Sequence, residues 1–349
     1  TVTKQGAGTL TLTGSNTFTG TTTVTAGTLQ LGAASALADT TAVTIDSGAT
    51  FALNAANETI GSLAGSGSID LGSYTLTAGG TDASTAFSGV ISGTGGLIKN
   101  GLADLTLTGS NTFSGAVNVL GGSLTTVGSN ALGTASAVNV GAGASLNLGA
   151  SSSLATLTGS GSVGTVATSG AVTVLSGGTL APGVGGPGTL TLNNGLTVAA
   201  GGTLVMQLNG ATAGSGFDQL VVNGAVDLSG ATLSTTLGFS PSGSDSFRLI
   251  DNDGADAVVG TFAGIAQNGT ITVNGQTFTV SYQGGDGNDV VLTRVVPPAP
   301  APEPDPEPES PPSALAEITA RLRARTLVAQ QARRRAEDAA AARSRFLAM

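Results

Sequence analysis

The nine residues Gly284-Gly285-Asp286-Gly287-Asn288-Asp289-Val290-Val291-Leu292 carry the most explicit chemical pattern in the chain. They fit the nonapeptide Gly-Gly-x-Gly-x-Asp-x-U-x, whose turn carbonyls and Asp carboxylates hold Ca²⁺ between stacked repeats, so Asp286, Asn288 and Asp289 are candidate calcium ligands. One copy lacks the neighbouring turn that completes such a site, and a plain glycine turn between two strands is the competing reading. Asp251-Asn252-Asp253-Gly254-Ala255-Asp256 also gathers oxygen ligands, without the closing Glu of an EF-hand loop. Gly159-Ser160-Gly161-Ser162-Val163-Gly164 satisfies Gly-x-Gly-x-x-Gly, but no helix pattern or suitably placed acid follows it. Neither His nor Cys occurs. That removes a Ser-His-Asp triad, His or Cys metal sites, disulfides and thiol nucleophiles together. Up to Val296 the only cations are Lys4, Lys99, Arg248 and Arg294, dispersed and with no recognised pairing. The residue types therefore predict no catalytic residue and no cofactor.

What positions these residues is a repeat. Lys4-Gln5-Gly6-Ala7-Gly8-Thr9-Leu10-Thr11-Leu12-Thr13-Gly14-Ser15-Asn16-Thr17-Phe18-Thr19-Gly20 returns 95 residues later as Lys99-Asn100-Gly101-Leu102-Ala103-Asp104-Leu105-Thr106-Leu107-Thr108-Gly109-Ser110-Asn111-Thr112-Phe113-Ser114-Gly115. The register persists through Gly27-Thr28-Leu29 and Gly122-Ser123-Leu124, and slips to 94 only near Gly65 and Gly159. Apolar and polar residues alternate with period two in Thr9 to Thr13, Val43-Thr44-Ile45, Leu146-Asn147-Leu148 and Leu190-Thr191-Leu192, the pattern of short strands with one face inward. Gly-Ser, Gly-Gly and Asn-Gly clusters separate them and supply tight corners. Strands and corners copied in series predict a β-helical solenoid, with a β-sandwich as the main rival. At roughly 20 to 25 residues per coil, the repeat offset would be about four turns and the body about twelve.

Composition narrows the class. There are 55 glycines in 349 residues, and charged residues make up only 9% against 40% hydrophobic, the reverse of a disordered signature. The net charge of −9 argues against a nucleic-acid partner. No apolar run of transmembrane length occurs. Opening at Thr1 in the middle of a strand pattern, the sequence reads as a processed protein or a fragment.

Four segments follow from texture. Residues 1–194 are the repeat region, in two copies. In 195–296 glycine corners thin out and bulky residues collect, and Phe247, Leu249, Ile250, Phe262, Phe278 and Tyr282 are the expected core of a C-terminal β cap that covers an otherwise open strand edge. Residues 297–312 alternate Pro with Asp and Glu, a semi-rigid spacer. Residues 313–349 hold 8 Arg among Ala and Leu and predict an α-helix with Ser313 as N-cap. Leu315, Ile318 and Leu322 share one face of that helix.

The unit from Gly6 to Gly20, continued by Thr22-Thr23-Val24 and Ala26 to Gly32, resembles the autotransporter-associated β-strand repeat, also called the passenger-associated transport repeat. The residues that carry the resemblance are Gly8, Thr9, Leu10, Leu12, Gly14, Asn16, Phe18 and Gly20, and in the second copy Leu105, Leu107, Gly109, Asn111, Phe113 and Gly115. The stretch from Phe247 through Phe262 to Thr293 is similar to the C-terminal end of such passengers. This resemblance implies a right-handed parallel β-helix with a C-terminal cap, a Pro-rich linker and a C-terminal helix, displayed outside a Gram-negative bacterium by type V secretion. It implies an outer-membrane β-barrel translocator as partner, a cap that nucleates folding, and a non-enzymatic stalk with an adhesive or self-associating surface.

Three alternatives stay open from the residues. The Gly284 to Leu292 turn with the C-terminal residues, Phe346 to Met349 included, would serve as a type I secretion signal. Carboxylates with Lys or Arg would serve a β-helical polysaccharide-active enzyme. The Thr-x-Thr pairs would serve an ice-binding face, although they recur irregularly and β propensity explains them as well.

Overall fold

The structure is a computed structural model, and it describes residues 1–128, 130–149, 152–165, 171–298 and 313–346. The described residues fall into two compact units, Thr1–Val296 and Pro297–Met349.

The first unit is a parallel β-solenoid. Alternating residues give strands of mostly three or four residues, each buried on one side and open on the other, and glycine corners pass the chain from one sheet to the next. A 15-stranded sheet forms the first face. Twelve of its strands are parallel rungs, running from Val2–Lys4 to Ser246–Asn252. Nine parallel strands run along the second face from Glu58–Ile60 to Val226–Asp227, so about 9 turns carry both faces. A third, 5-stranded face spans Thr9–Leu12 to Val90–Ser92. The three N-terminal turns thus use the first and third faces.

Register gives the length of a turn. Lys4, Val24, Ile45, Gly65 and Phe87 lie in one row of the first face. Further along, Leu192, Val222 and Asn252 form one row at a visibly wider spacing in the chain, so the turns lengthen toward the C-terminus. Inside, Leu29, Phe51, Leu63, Ile69, Leu107, Leu124, Leu146 and Val163 belong to one continuous core. Outside, hydroxyl and amide side chains stack in short ladders, such as Thr9, Thr28, Thr50 and Ser68 on the third face and Ser123, Ser145 and Ser162 on the first.

The parallel stack stops at Ser246–Asn252. That strand pairs antiparallel with Asp289–Arg294, which pairs with Gln276–Gly284, which in turn pairs with Thr270–Val273. The last parallel rung is thus covered by an antiparallel meander, and Thr270–Val273 becomes the outermost strand of the sheet. Under it, Phe247 meets the rings of Phe217, Phe239 and Phe278 edge-on at 5.4, 5.9 and 6.0 Å.

In the second unit, Ala314–Phe346 is one α-helix. The Ser313 Oγ accepts the Ala316 N–H at 3.3 Å, the N-cap bond expected of it. Leu315, Ile318 and Leu322 are exposed. Of the Pro-rich segment only Pro297 and Pro298 belong to the described residues, and Leu347 to Met349 lie outside them as well. No helix among the described residues is long and apolar enough to cross a membrane.

Candidate functional site

The repeat motif builds the most specific polar geometry of the solenoid, and it starts with a lysine. In the second copy, Lys99 is 1% exposed and its Nζ donates to Asn100 O (2.8 Å), Gly101 O (3.0 Å) and Gly121 O (3.0 Å). In the first copy, Lys4 Nζ donates to Gln5 O (3.2 Å), Gly6 O (2.7 Å) and Ala26 O (2.9 Å). Each acceptor of the first copy has its counterpart at the repeat offset in the second. Two carbonyls belong to the corner that follows the lysine and the third to the next turn, so each ammonium fastens one turn to its successor. Three donors meet three acceptors, the full capacity of an ammonium, which offsets its burial. Burial pushes the Lys99 ammonium down from its ordinary value, while Asp104 and Asp82 act in the other direction.

Asn16 and Asn111 make the second inter-turn tie. Asn16 Nδ2 donates to Ala36 O (2.8 Å) and Gly14 O (2.9 Å), while Asn111 Nδ2 donates to Ala131 O (2.5 Å) and its Oδ1 accepts the Ile91 N–H at 2.8 Å. Two residues on, Phe113 is wholly buried and Phe18 partly. Leu105 and Leu107 are buried, whereas Leu10 is 40% exposed and Leu12 only partly covered. The same residues are thus packed in the second copy and half open in the first, because the first has no turn stacked before it among the described residues.

The two copies do not sit alike on the solenoid. Four turns along the first face carry the chain from Lys4 to Phe87, and Lys99 lies beyond that row, in the second face between Ala78 and Val119. Thr9–Leu12 lies in the third face while its counterpart Asp104–Leu107 lies in the first. The expected offset of about four turns is therefore corrected. The repeat offset is not a whole number of these turns, so the strands from Val2–Lys4 to Thr50–Leu53 recur one face round in the second copy.

Buried carboxylates that residue patterns gave no reason to single out serve the same end. Glu58 accepts the N–H groups of Ala36 (3.1 Å) and Leu37 (2.8 Å) one turn earlier. Asp218 is fully buried and accepts those of Gly188 (2.8 Å) and Gln207 (2.7 Å). Its carboxyl is pushed up to about 6 by desolvation, against the pull of those two bonds. The only sequence signal for such residues is an acid in an otherwise uncharged strand or corner.

In the cap, Phe247, Leu249, Ile250, Phe262, Phe278 and Tyr282 are all buried. The Tyr282 hydroxyl accepts the Phe262 N–H at 3.0 Å and donates to Ile265 O at 2.8 Å. Of the calcium candidates next to it, Asp286 is exposed, while Asn288 and Asp289 are buried against protein groups. Asp289 is buried, accepts the Asn252 N–H at 2.9 Å and lies 3.1 Å from Arg248 Nε. Asn288 Nδ2 donates to the carbonyls of Asp253, Gly254 and Asp256. These contacts tie the 284–292 turn to the 251–256 turn. Among the described residues no three His, Cys, Asp or Glu side chains are grouped to hold a metal ion.

The repeats match a known family. Residues 2–31 and 97–125 match the family described as passenger-associated-transport-repeat. The chain is also 36% identical over 131 residues to the adhesin BmaC autotransporter of Brucella suis biovar 1 (strain 1330), a match covering 35% of this chain and 3% of that protein. The relative is thus far longer than the chain compared with it. The matched segments are the ones that carry Lys4 and Lys99 in their carbonyl cradles, Leu10 and Leu12, and Leu105, Leu107 and Phe113. This chain is a parallel β-solenoid carrying two segments that match the passenger-associated transport repeat, and over about a third of its length it is similar to an autotransporter adhesin.

Proposed function

We propose that this chain is the stalk of a surface-displayed or secreted, non-enzymatic passenger that assists its own export and presents an adhesive or self-associating surface. The observation that carries this reading is the placement of two transport repeats inside one parallel stack, each fastening its turn to the next through a buried lysine and an asparagine. A turn so fastened resists sliding back once it has formed. Kinship with an autotransporter named as an adhesin supports the adhesive role, with the Thr, Ser and Asn ladders as the exposed surface. The partner in export is an outer-membrane β-barrel of the same polypeptide, and the destination is the surface of a Gram-negative cell.

Within this reading residues 1–194 are the repeat stalk and 195–296 the cap on which folding starts. The Pro-rich residues 297–312 and the helix in 313–349 connect it to the barrel. Immunodetection on intact, protease-treated and fractionated cells tests it. An outer-membrane product whose solenoid is cleaved by external protease is expected. A product that is always free in the medium and ends at Met349 would overturn it in favour of a C-terminal secretion signal.

A further inference from the structure

Two acidic turns that lie far apart in the chain are neighbours in the fold. The nonapeptide pattern at Gly284 to Leu292 needs a second turn to share an ion, and the 251–256 turn is packed against it. Asn288 Nδ2 donates to the main-chain oxygens of Asp253 (3.2 Å), Gly254 (3.4 Å) and Asp256 (3.1 Å). Asn252 Nδ2 donates to the same Asp256 oxygen at 2.8 Å and to Asn288 O at 3.4 Å. Every residue of both turns is among the described ones.

An amide fits this place poorly. The two hydrogens of Asn288 Nδ2 serve three converging carbonyls. Asn252 and Asn288 are 1% and 4% exposed, and the Oδ1 of each is buried without a hydrogen-bond partner. A buried carbonyl without a donor is costly. Turning the Asn288 amide over would bring its oxygen to the carbonyls, and only a cation between them makes that favourable. An oxygen at the place of Asn288 Nδ2 stands 3.1–3.4 Å from the three carbonyl oxygens, the separation of adjacent ligands around an ion with bonds of about 2.3–2.6 Å. The charge has the matching sign. Residues 248–256 and 284–289 hold five Asp and one Arg. Arg248 is paired with Asp251 at 2.9 Å and with Asp289 at 3.1 Å, while Asp253, Asp256 and Asp286 are exposed around the two turns.

We propose that the 251–256 and 284–289 turns bind one Ca²⁺ between them, on the main-chain oxygens of Asp253, Gly254 and Asp256 and on Oδ1 of Asn252 and Asn288, both amides turning over to receive it. The donors are carbonyls and amides, so no trio of acidic side chains is needed. Hard oxygen donors select Ca²⁺, which takes about 6–8 of them, and water or the exposed carboxylates complete the shell. Asp289 stays with Arg248 and with the Asn252 N–H, and so orients Asn252. Uncharged fixed ligands give a dissociation constant on the order of 10⁻⁴–10⁻³ M. The ion would clamp the end of strand Ser246–Asn252 to the turn that opens strand Asp289–Arg294.

The test is a calorimetric titration of the chelator-treated full chain with CaCl₂ and, separately, MgCl₂, with the side-chain amide signals of ¹⁵N-labelled protein followed alongside. One Ca²⁺ per chain is expected to bind, to shift the NH₂ signals of Asn252 and Asn288 and to raise Tm. Mg²⁺, which demands a tighter octahedral shell, is expected to do none of these at equal concentration. Asn288→Asp removes the amide donor and adds a charged ligand, so it should lower Tm without Ca²⁺ and bind Ca²⁺ about tenfold more tightly. Asn288→Leu should abolish binding. No uptake up to about 10 mM Ca²⁺, well above the expected dissociation constant, would overturn the proposal. So would uptake that leaves both amides unmoved, or an equal response to Mg²⁺, since either means loose attraction to an acidic surface. The wild-type titration decides this even where a variant does not fold.

Discussion

Lys4 and Lys99 stand on different faces of the solenoid, yet each ammonium is held by three carbonyls at identical offsets along the chain. The cradle is thus a local property of lysine, corner and following turn, and it travels with the repeat wherever the repeat lands. Replacing Lys99 with methionine keeps the side chain's bulk and leaves three buried carbonyls unpaired. It is expected to destabilise the first unit by about 2–4 kcal/mol. Chemical denaturation of the variant beside wild type measures it, and a loss under about half a kcal/mol would mean that water replaces the ammonium.

Gly14 and Gly109 occupy the same place in the repeat with opposite surroundings. A Cβ on Gly109 would run into the carbonyl oxygen of Gly89 in the previous turn, whereas one on Gly14 meets nothing. Gly109→Ala should therefore lower stability by about 1–3 kcal/mol, while Gly14→Ala should leave it unchanged. Thermal unfolding of the two variants gives the comparison, and equal effects would contradict the close stacking of turns at Gly109.

Asp218 makes the stability depend on pH. Its folded carboxyl titrates at about 6 against an ordinary 3.8, so at pH 5 the folded state holds a proton that the unfolded chain has released. Stability from this group therefore rises as pH falls through about 6 and levels off near 3.8, by up to about 3 kcal/mol in all. Glu58 is shifted the same way by burial. Tm is expected to be higher at pH 5 than at pH 7.5. Asp218→Ala should reduce that difference, although it costs two N–H bonds at both pH values.

Phe247 lies at the centre of the C-terminal ring cluster and is fully buried, whereas Leu10, in the repeat region, is 40% exposed. Phe247→Ala should cost about 3–5 kcal/mol and slow the surface appearance of the passenger in pulse-labelled cells. Leu10→Ala should do neither. Equal export kinetics for the two variants would remove the cap as the place where folding starts.

The alternation of Thr with Leu and Val, and the glycines between, were enough to read a strand-and-corner solenoid, because each strand chooses its inner face from its own residues. The N-cap of the C-terminal helix was legible for the same reason, since Ser313 acts on an N–H only three residues away. What the 284–292 turn packs against was not legible, for a complementary reason. The local pattern at Asp286 to Asp289 is correct for a turn, but Arg248, beside Asp289, and the carbonyls of Asp253, Gly254 and Asp256, which accept from Asn288 Nδ2, are far off in sequence.

The sequence by itself therefore determined the unit: its strands, its corners, its lysine placed before a glycine corner, and the distance at which it recurs. Tertiary structure alone decided the phase, because four turns take the chain only to Phe87, short of Lys99, and the remaining part of a turn carries the second copy onto a different face. It also decided which equivalents are buried. Whether Leu10 or Leu105 is covered, whether Gly14 or Gly109 is pressed, and whether a corner's N–H groups find a carboxylate all depend on what the adjacent turn brings against them. That neighbour comes from a full turn away in the chain, beyond the reach of any local pattern.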